Sequence, residues 1–112
     1  MCDVNEGRVS TASEEFGTEE AYTDYDEMLW EADLDAVAIG TPQHLHVPQS
    51  IAALNRDLHV LCTVPVGVTV GQCKDLLEAV QDSDGLYMFA ETGLYRKPNL
   101  VVSGLVEAGL FG

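Results

Sequence analysis

The spacing of apolar and polar positions divides the chain into short elements. Val9, Ala12 and Phe16 recur at helical intervals between Asn5, a helix-capping residue, and Gly17, a helix-ending one, so a helix is predicted there. Ala21-Tyr22 predicts a very short strand. Asp24, with Glu27 three residues on, has the form of a capping box and opens a helix through Tyr25, Met28 and Leu29. Residues 35–39 show no polar alternation after Asp35, as expected of a parallel strand covered on both faces. Gly40-Thr41-Pro42 breaks that run.

Val47, Ile51 and Leu54 then fall at i, i+4 and i+7, with Pro48 in the first turn, and predict the next helix. Residues 58–62 read as a strand. Thr69 and Gln72 form a second capping-box pair, opening a helix predicted to bury Val70, Cys73, Leu77 and Val80. Residues 86–90 predict a further strand and residues 98–108 a last helix. Strands alternating with helices of about ten residues give an α/β chain with a parallel sheet.

Composition narrows the function classes. At 112 residues and 46% hydrophobic content the chain is globular and forms one small domain or part of one. No apolar run approaches the roughly 20 residues of a membrane span. The start MCDVNEGR has no basic segment followed by an apolar one, which predicts a cytoplasmic protein. Cys2, Cys62 and Cys73 match no CxxC pair and read as reduced thiols, small residues of the core.

The net charge is −14, with twelve acids and one base in residues 1–35 (net −11) and seven acids and four bases in residues 36–112 (net −3). Such a balance disfavours nucleic acid and anionic membrane partners. It also suggests a halophilic surface suited to a high-salt cytosol, against the plainer reading of an acidic protein from ordinary salt. His44, His46, His59 and Cys62 show no ligand quartet with zinc spacing, so no metal is predicted. Cys62 has no sequence feature that would supply a base or lower its pKa, so it is not read as a nucleophile.

TPQHLH at 41–46, HVLCTVP at 59–65, AETGLYRKPN at 90–99 and EAGLFG at 107–112 follow one another in an order that resembles the nucleotide-binding domain of the Gfo/Idh/MocA oxidoreductases. The pattern of that family runs TPNxxH, then HVxxEKP, with a substrate domain following. The resemblance implies an incomplete Rossmann-like, doubly wound parallel sheet over 1–112, lacking its first strand, its GxGxxG turn and the C-terminal substrate domain. It implies NAD or NADP as cofactor and sugars or polyols as the substrates of complete members.

By position, Asp3 matches the acid that binds the adenosine ribose, or else it belongs to the solvated acidic surface. Thr41, Pro42 and Gln43 match the loop lying against the dinucleotide. His46 matches the histidine of TPNxxH, to orient a loop, touch cofactor or serve the structure. Glu91 sits at a strand end facing the site, in a stretch that also holds Tyr95, Arg96 and Pro98, while Thr92-Gly93-Leu94 departs from the family pattern.

The EKP position is the informative departure. In the family its glutamate helps hold the nicotinamide ribose and its lysine stands beside the reacting carbon. Here Thr63 and Val64 occupy those places and Pro65 remains. Valine has no titratable proton, and general acid–base help is worth about 10²–10⁴ in rate, so no catalytic residue is assigned. Threonine still offers a neutral hydrogen bond to a ribose. Three functions follow for comparison: a partial dinucleotide-binding domain inactive alone, a non-catalytic interaction module pairing with a complete homologue, and a residual enzyme. A sheet opened at its centre predicts marginal stability, with self-association or pairing through an exposed edge.

Overall fold

A computed structural model describes residues 1–111. The helices are α1 (Glu6–Phe16), α2 (Tyr25–Glu31), α3 (His46–Leu54), α4 (Val70–Asp82) and α5 (Lys97–Glu107). The strands are β1 (Ala36–Ile39), β2 (His59–Thr63) and β3 (Tyr87–Ala90). Single 3-10 turns, Gln43–Leu45 and Thr92–Tyr95, precede α3 and α5. The three strands form one parallel sheet in the order β1-β2-β3, with Ile39 beside Cys62 and Cys62 beside Phe89. The expected strand at Ala21-Tyr22 is a single parallel bridge between Cys2 and Tyr22, outside that sheet.

Local chemistry fixes the helix starts. The Asn5 side chain accepts from the Arg8 amide, Asp24 from Glu27 and Thr69 from Gln72, each relieving an unpaired donor of a first turn. In the second capping box, Gln72 Oε1 accepts from the Val68 amide, one residue before the cap. Gly17 ends α1 with φ 66°, a left-handed conformation that favours glycine. Gly85 is required for another reason, since a Cβ there would collide with the Leu58 carbonyl.

One buried cluster holds the fold: Met28 and Leu29 of α2, Val47, Ala53 and Leu54 of α3, Leu76 of α4, and Val37, Ile39, Val60 and Cys62 of the sheet. The sheet is covered on one face only, which corrects the expectation of two covered faces for β1. In β1 and β2 burial alternates strictly, leaving Ala36, Ala38 and Leu61 on the bare side with Met88 of β3 beside Leu61. The run is apolar on both rows, but α2 and α3 lie on one side and α5 packs chiefly on its own preceding 3-10 turn, burying none of its residues.

The inward face of α4 also differs from the expectation. Leu76 is buried and Ala79 and Val80 partly so, whereas Val70 is 75% and Leu77 57% exposed and Cys73 is exposed. The helix packs sideways on α3, which turns a neighbouring apolar stripe inward, about one residue step around the axis. Among the thiols only Cys62 is fully buried; Cys2 is half-buried, and all three are free. Phe16 is exposed, so α1 is anchored by Val9.

The result is an expanded molecule. Its radius of gyration is 17.3 Å, against about 13 Å for a compact domain of this length. Its accessible surface is 7932 Å², against roughly 6,000 Å² for a compact monomer of its mass.

Candidate functional site

Because the three strands are parallel and in register, their carboxyl ends share one rim, the place where α/β sheets collect ligands. Thr41 and Pro42 follow β1, Thr63 closes β2 with Val64 and Pro65 after it, and Glu91 follows β3. The rim is an open shelf. Two cavities lie elsewhere: an open groove of about 570 Å³ bordered by Glu6, Glu14, Glu19, Glu27 and Glu31, and a hollow of about 290 Å³ beside Trp30 and Arg56. Arg56 lies 4.4 Å from the Trp30 ring centroid, and neither cavity includes a rim residue.

Each rim loop is held by its own hydrogen bonds. The Thr41 hydroxyl donates to the Gln49 side-chain oxygen, and Gln49 in turn accepts at its backbone carbonyl from the Tyr25 hydroxyl at 3.0 Å. Gln49 carries no family-like motif, so its role is visible only once α3 is placed beside the loop. His46 is 1% exposed; its Nδ1 is 2.8 Å from the Pro65 carbonyl and its Nε2 2.8 Å from the Thr41 carbonyl. Both ring nitrogens are therefore occupied by backbone. Pro42 and Gln43 are exposed, and the Val64–Pro65 peptide is cis.

At the end of β2, Thr63 is exposed and Val64 is 44% exposed, so an aliphatic side chain stands on the rim. Glu91 is partly buried and its Oε1 accepts from the Gly93 amide at 2.7 Å, capping the 3-10 turn Thr92–Tyr95. Asp3 belongs to the separate Cys2–Tyr22 bridge. Its Oδ1 accepts from the Asn5 amide at 2.8 Å, and its Oδ2 lies 3.7 Å from Arg8. The structure thus brings Thr41, Pro42, Thr63, Pro65 and Glu91 to one rim and sets Asp3 on a second, smaller element.

Beneath the rim the titration of the tyrosines reports the core. Burial, with Asp26 and the thiols of Cys2 and Cys62 adding, pushes the Tyr25 phenol well above its ordinary value. Burial, with Cys62 next, does the same to Tyr87. The hydroxyls of Tyr87 and Ser50 are buried and have no hydrogen-bond partner among the described residues. Among those residues no three His, Cys, Asp or Glu side chains are arranged to hold a metal ion.

A family model described as an oxidoreductase family with an NAD-binding Rossmann fold matches residues 1–91. The chain belongs to the Gfo/Idh/MocA oxidoreductase family. A glycosyl hydrolase family 109 protein of Shewanella pealeana is 32% identical over 96 residues, covering 86% of this chain and 20% of its own length. An inositol 2-dehydrogenase of Salmonella typhimurium is 28% identical over 114 residues, covering all of this chain and 34% of its own.

Among solved structures, the scyllo-inositol dehydrogenase of Lactobacillus casei with bound NAD(H) and scyllo-inositol superposes with a TM-score of 0.91 at 27% identity. The match covers 99% of this chain and 33% of that one. The Gfo/Idh/MocA chain described here therefore spans between about a fifth and a third of the length of these relatives. Its architecture is that of their NAD-binding part.

The residues present fit a nicotinamide dinucleotide in part. Thr63 offers a hydroxyl, Asp3 and Glu91 offer carboxylate oxygens that are already shared with backbone amides, and Val64 offers an apolar surface. The rim residues named above include no cation, and the sequence holds no GxGxxG turn whose amides would meet a pyrophosphate.

Proposed function

We propose that residues 1–112 form one partial dinucleotide-binding domain that contacts the ribose side of NAD or NADP and does not by itself catalyse hydride transfer. Asp3, Thr41, Pro42, Gln43, Thr63, Pro65 and Glu91 are the contact residues of this reading. The observation that supports it is the rim itself: Val64 stands exposed at the end of β2, where complete members of the family carry a lysine. An alkyl group neither donates a proton nor stabilises a developing alkoxide, so a bound nicotinamide would hold its hydride without acid–base help.

The dinucleotide supplies the hydride chemistry when bound; this chain's own residues bind and orient. Polyols such as inositols are the substrate class this reading carries over from the names of the relatives. The cytoplasm is the proposed location. Titration calorimetry with NAD(H) and NADP(H) tests the reading. Millimolar-range affinity is expected, and no heat from either at millimolar ligand contradicts it.

A second reading is favoured by the bare sheet face: an interaction module that pairs with a complete homologue or a second copy. The accessible surface exceeds that of a compact monomer by roughly 1,900 Å², more than the about 800 Å² each partner contributes to a standard interface. The part of the chain that carries this face, residues 36–112, has a net charge of only −3. Sedimentation velocity tests it: a dimer or mixed complex is expected, and a monomer at all concentrations, alone and with a homologue, contradicts it. The halophilic reading rests on the −14 net charge and predicts that unfolding in urea shifts to higher denaturant as KCl rises. An unchanged midpoint contradicts it.

A further inference from the structure

We infer that His46 is a positioning residue that locks the loop after β1 to the turn after β2, so that the two loops presenting the rim keep one spacing. The inference rests on the dinucleotide reading for its functional consequence, and on geometry alone for the link itself. His46 opens α3 and is 1% exposed, with its ring set between two segments 24 residues apart in sequence. One ring nitrogen lies 2.8 Å from the Thr41 carbonyl and the other 2.8 Å from the Pro65 carbonyl. Both partners are acceptors only, so each contact becomes a hydrogen bond when the ring nitrogen facing it carries the hydrogen, one nitrogen in a neutral ring and both in a doubly protonated one.

Ile39 and Cys62 are the last pair of the β1–β2 ladder, and beyond it each strand runs into its loop. Among the described residues no side chain other than His46 hydrogen-bonds to both loops. The ring is 1% exposed while Thr41 and Pro65 are half-buried, so losing the ring nitrogens removes the side-chain partner of both carbonyls at a part-buried site. No carboxylate lies within ion-pair distance of the ring among the described residues, so the link is made to backbone carbonyl dipoles. This differs from the cofactor contact the TPNxxH resemblance offers: the ring has no free nitrogen to present to a ligand, and acts on one through Thr41 and Thr63–Pro65.

Peptide-resolved hydrogen exchange on the full chain tests the link, comparing the native protein with His46→Phe and His46→Gln. Phenylalanine keeps the ring's bulk and removes both nitrogens. Exchange in residues 40–45 and 64–68 is expected to rise together by about tenfold in His46→Phe, while β2 and α4 keep their native protection. His46→Gln, whose amide nitrogen carries two N–H groups, is expected to loosen both loops less than the phenylalanine variant. If the phenylalanine variant loses protection in β2 as well, the glutamine variant decides on the same readout. Loosening of one loop alone, or native protection of both loops in the phenylalanine variant, overturns the link. In parallel, NAD(H) affinity should fall about tenfold in His46→Phe. If the native chain binds no dinucleotide, the functional reading fails while the exchange result still decides the link.

Discussion

The two faces of the same three strands behave differently. On one side Val37, Ile39, Val60 and Cys62 are buried under α2 and α3; on the other Ala36, Ala38, Leu61 and Met88 are open, with Leu61 42% exposed. Both rows are apolar, as in a strand buried on two sides. The difference teaches that an apolar pattern specifies a surface to be covered but not the element that covers it. In this chain one face folds its own cover, and the other keeps the composition of an interior while remaining surface.

The covered face should dominate stability. Leu54→Ala empties a fully buried position and is expected to cost about 2–5 kcal/mol in urea unfolding, whereas Leu61→Ala on the bare face should cost much less. Equal losses would mean that the bare face is covered in solution. The same contrast holds within α4, where Leu76→Ala should lower stability by at least about 2 kcal/mol and its neighbour Leu77→Ala by less than about 0.5 kcal/mol. A larger loss at Leu77 would restore the inward face that sequence spacing suggests.

Next in size is the effect of charge on the bare face. Leu61→Glu should weaken self-association about tenfold in sedimentation while leaving the unfolding midpoint nearly unchanged. If the assembly is unaffected, the partner lies elsewhere.

The smallest effect concerns the link between α2 and α3. Burial raises the folded-state pKa of Tyr25 above the ordinary value of 10, so its contribution is complete below pH 10 and declines as pH rises further, because the unfolded phenol ionises first. Tyr25→Phe removes the bond to the Gln49 carbonyl, about 1 kcal/mol at neutral pH, and should flatten the alkaline loss measured by pH-dependent unfolding. A variant that keeps the same alkaline slope would assign it to another group, Tyr87 first.

Much of this architecture is legible in the sequence because it is local. Asn5, Asp24 and Thr69 cap helices through their own neighbours, and the alternation of strands and helices gives the parallel sheet and hence a rim at the ends of β1, β2 and β3. What depends on placement is not legible. Leu76 and Leu77 are adjacent and equally apolar, and only the sideways packing of α4 on α3 selects between them. Glu91 is a carboxylate at a strand end in sequence, but in the fold it caps the turn after it. The grip of Gln49 and His46 on Thr41 joins positions whose contact follows from how α3 returns over the sheet.

On the proposed reading an aliphatic side chain stands where oxidation of a polyol needs a group to take the hydroxyl proton, and turnover tests this most directly. The purified chain, given NAD or NADP with myo- or scyllo-inositol, is predicted to produce no reduced nicotinamide above the uncatalysed background at 340 nm. Steady unaided production of the reduced cofactor, proportional to protein concentration and abolished by heat, would contradict it.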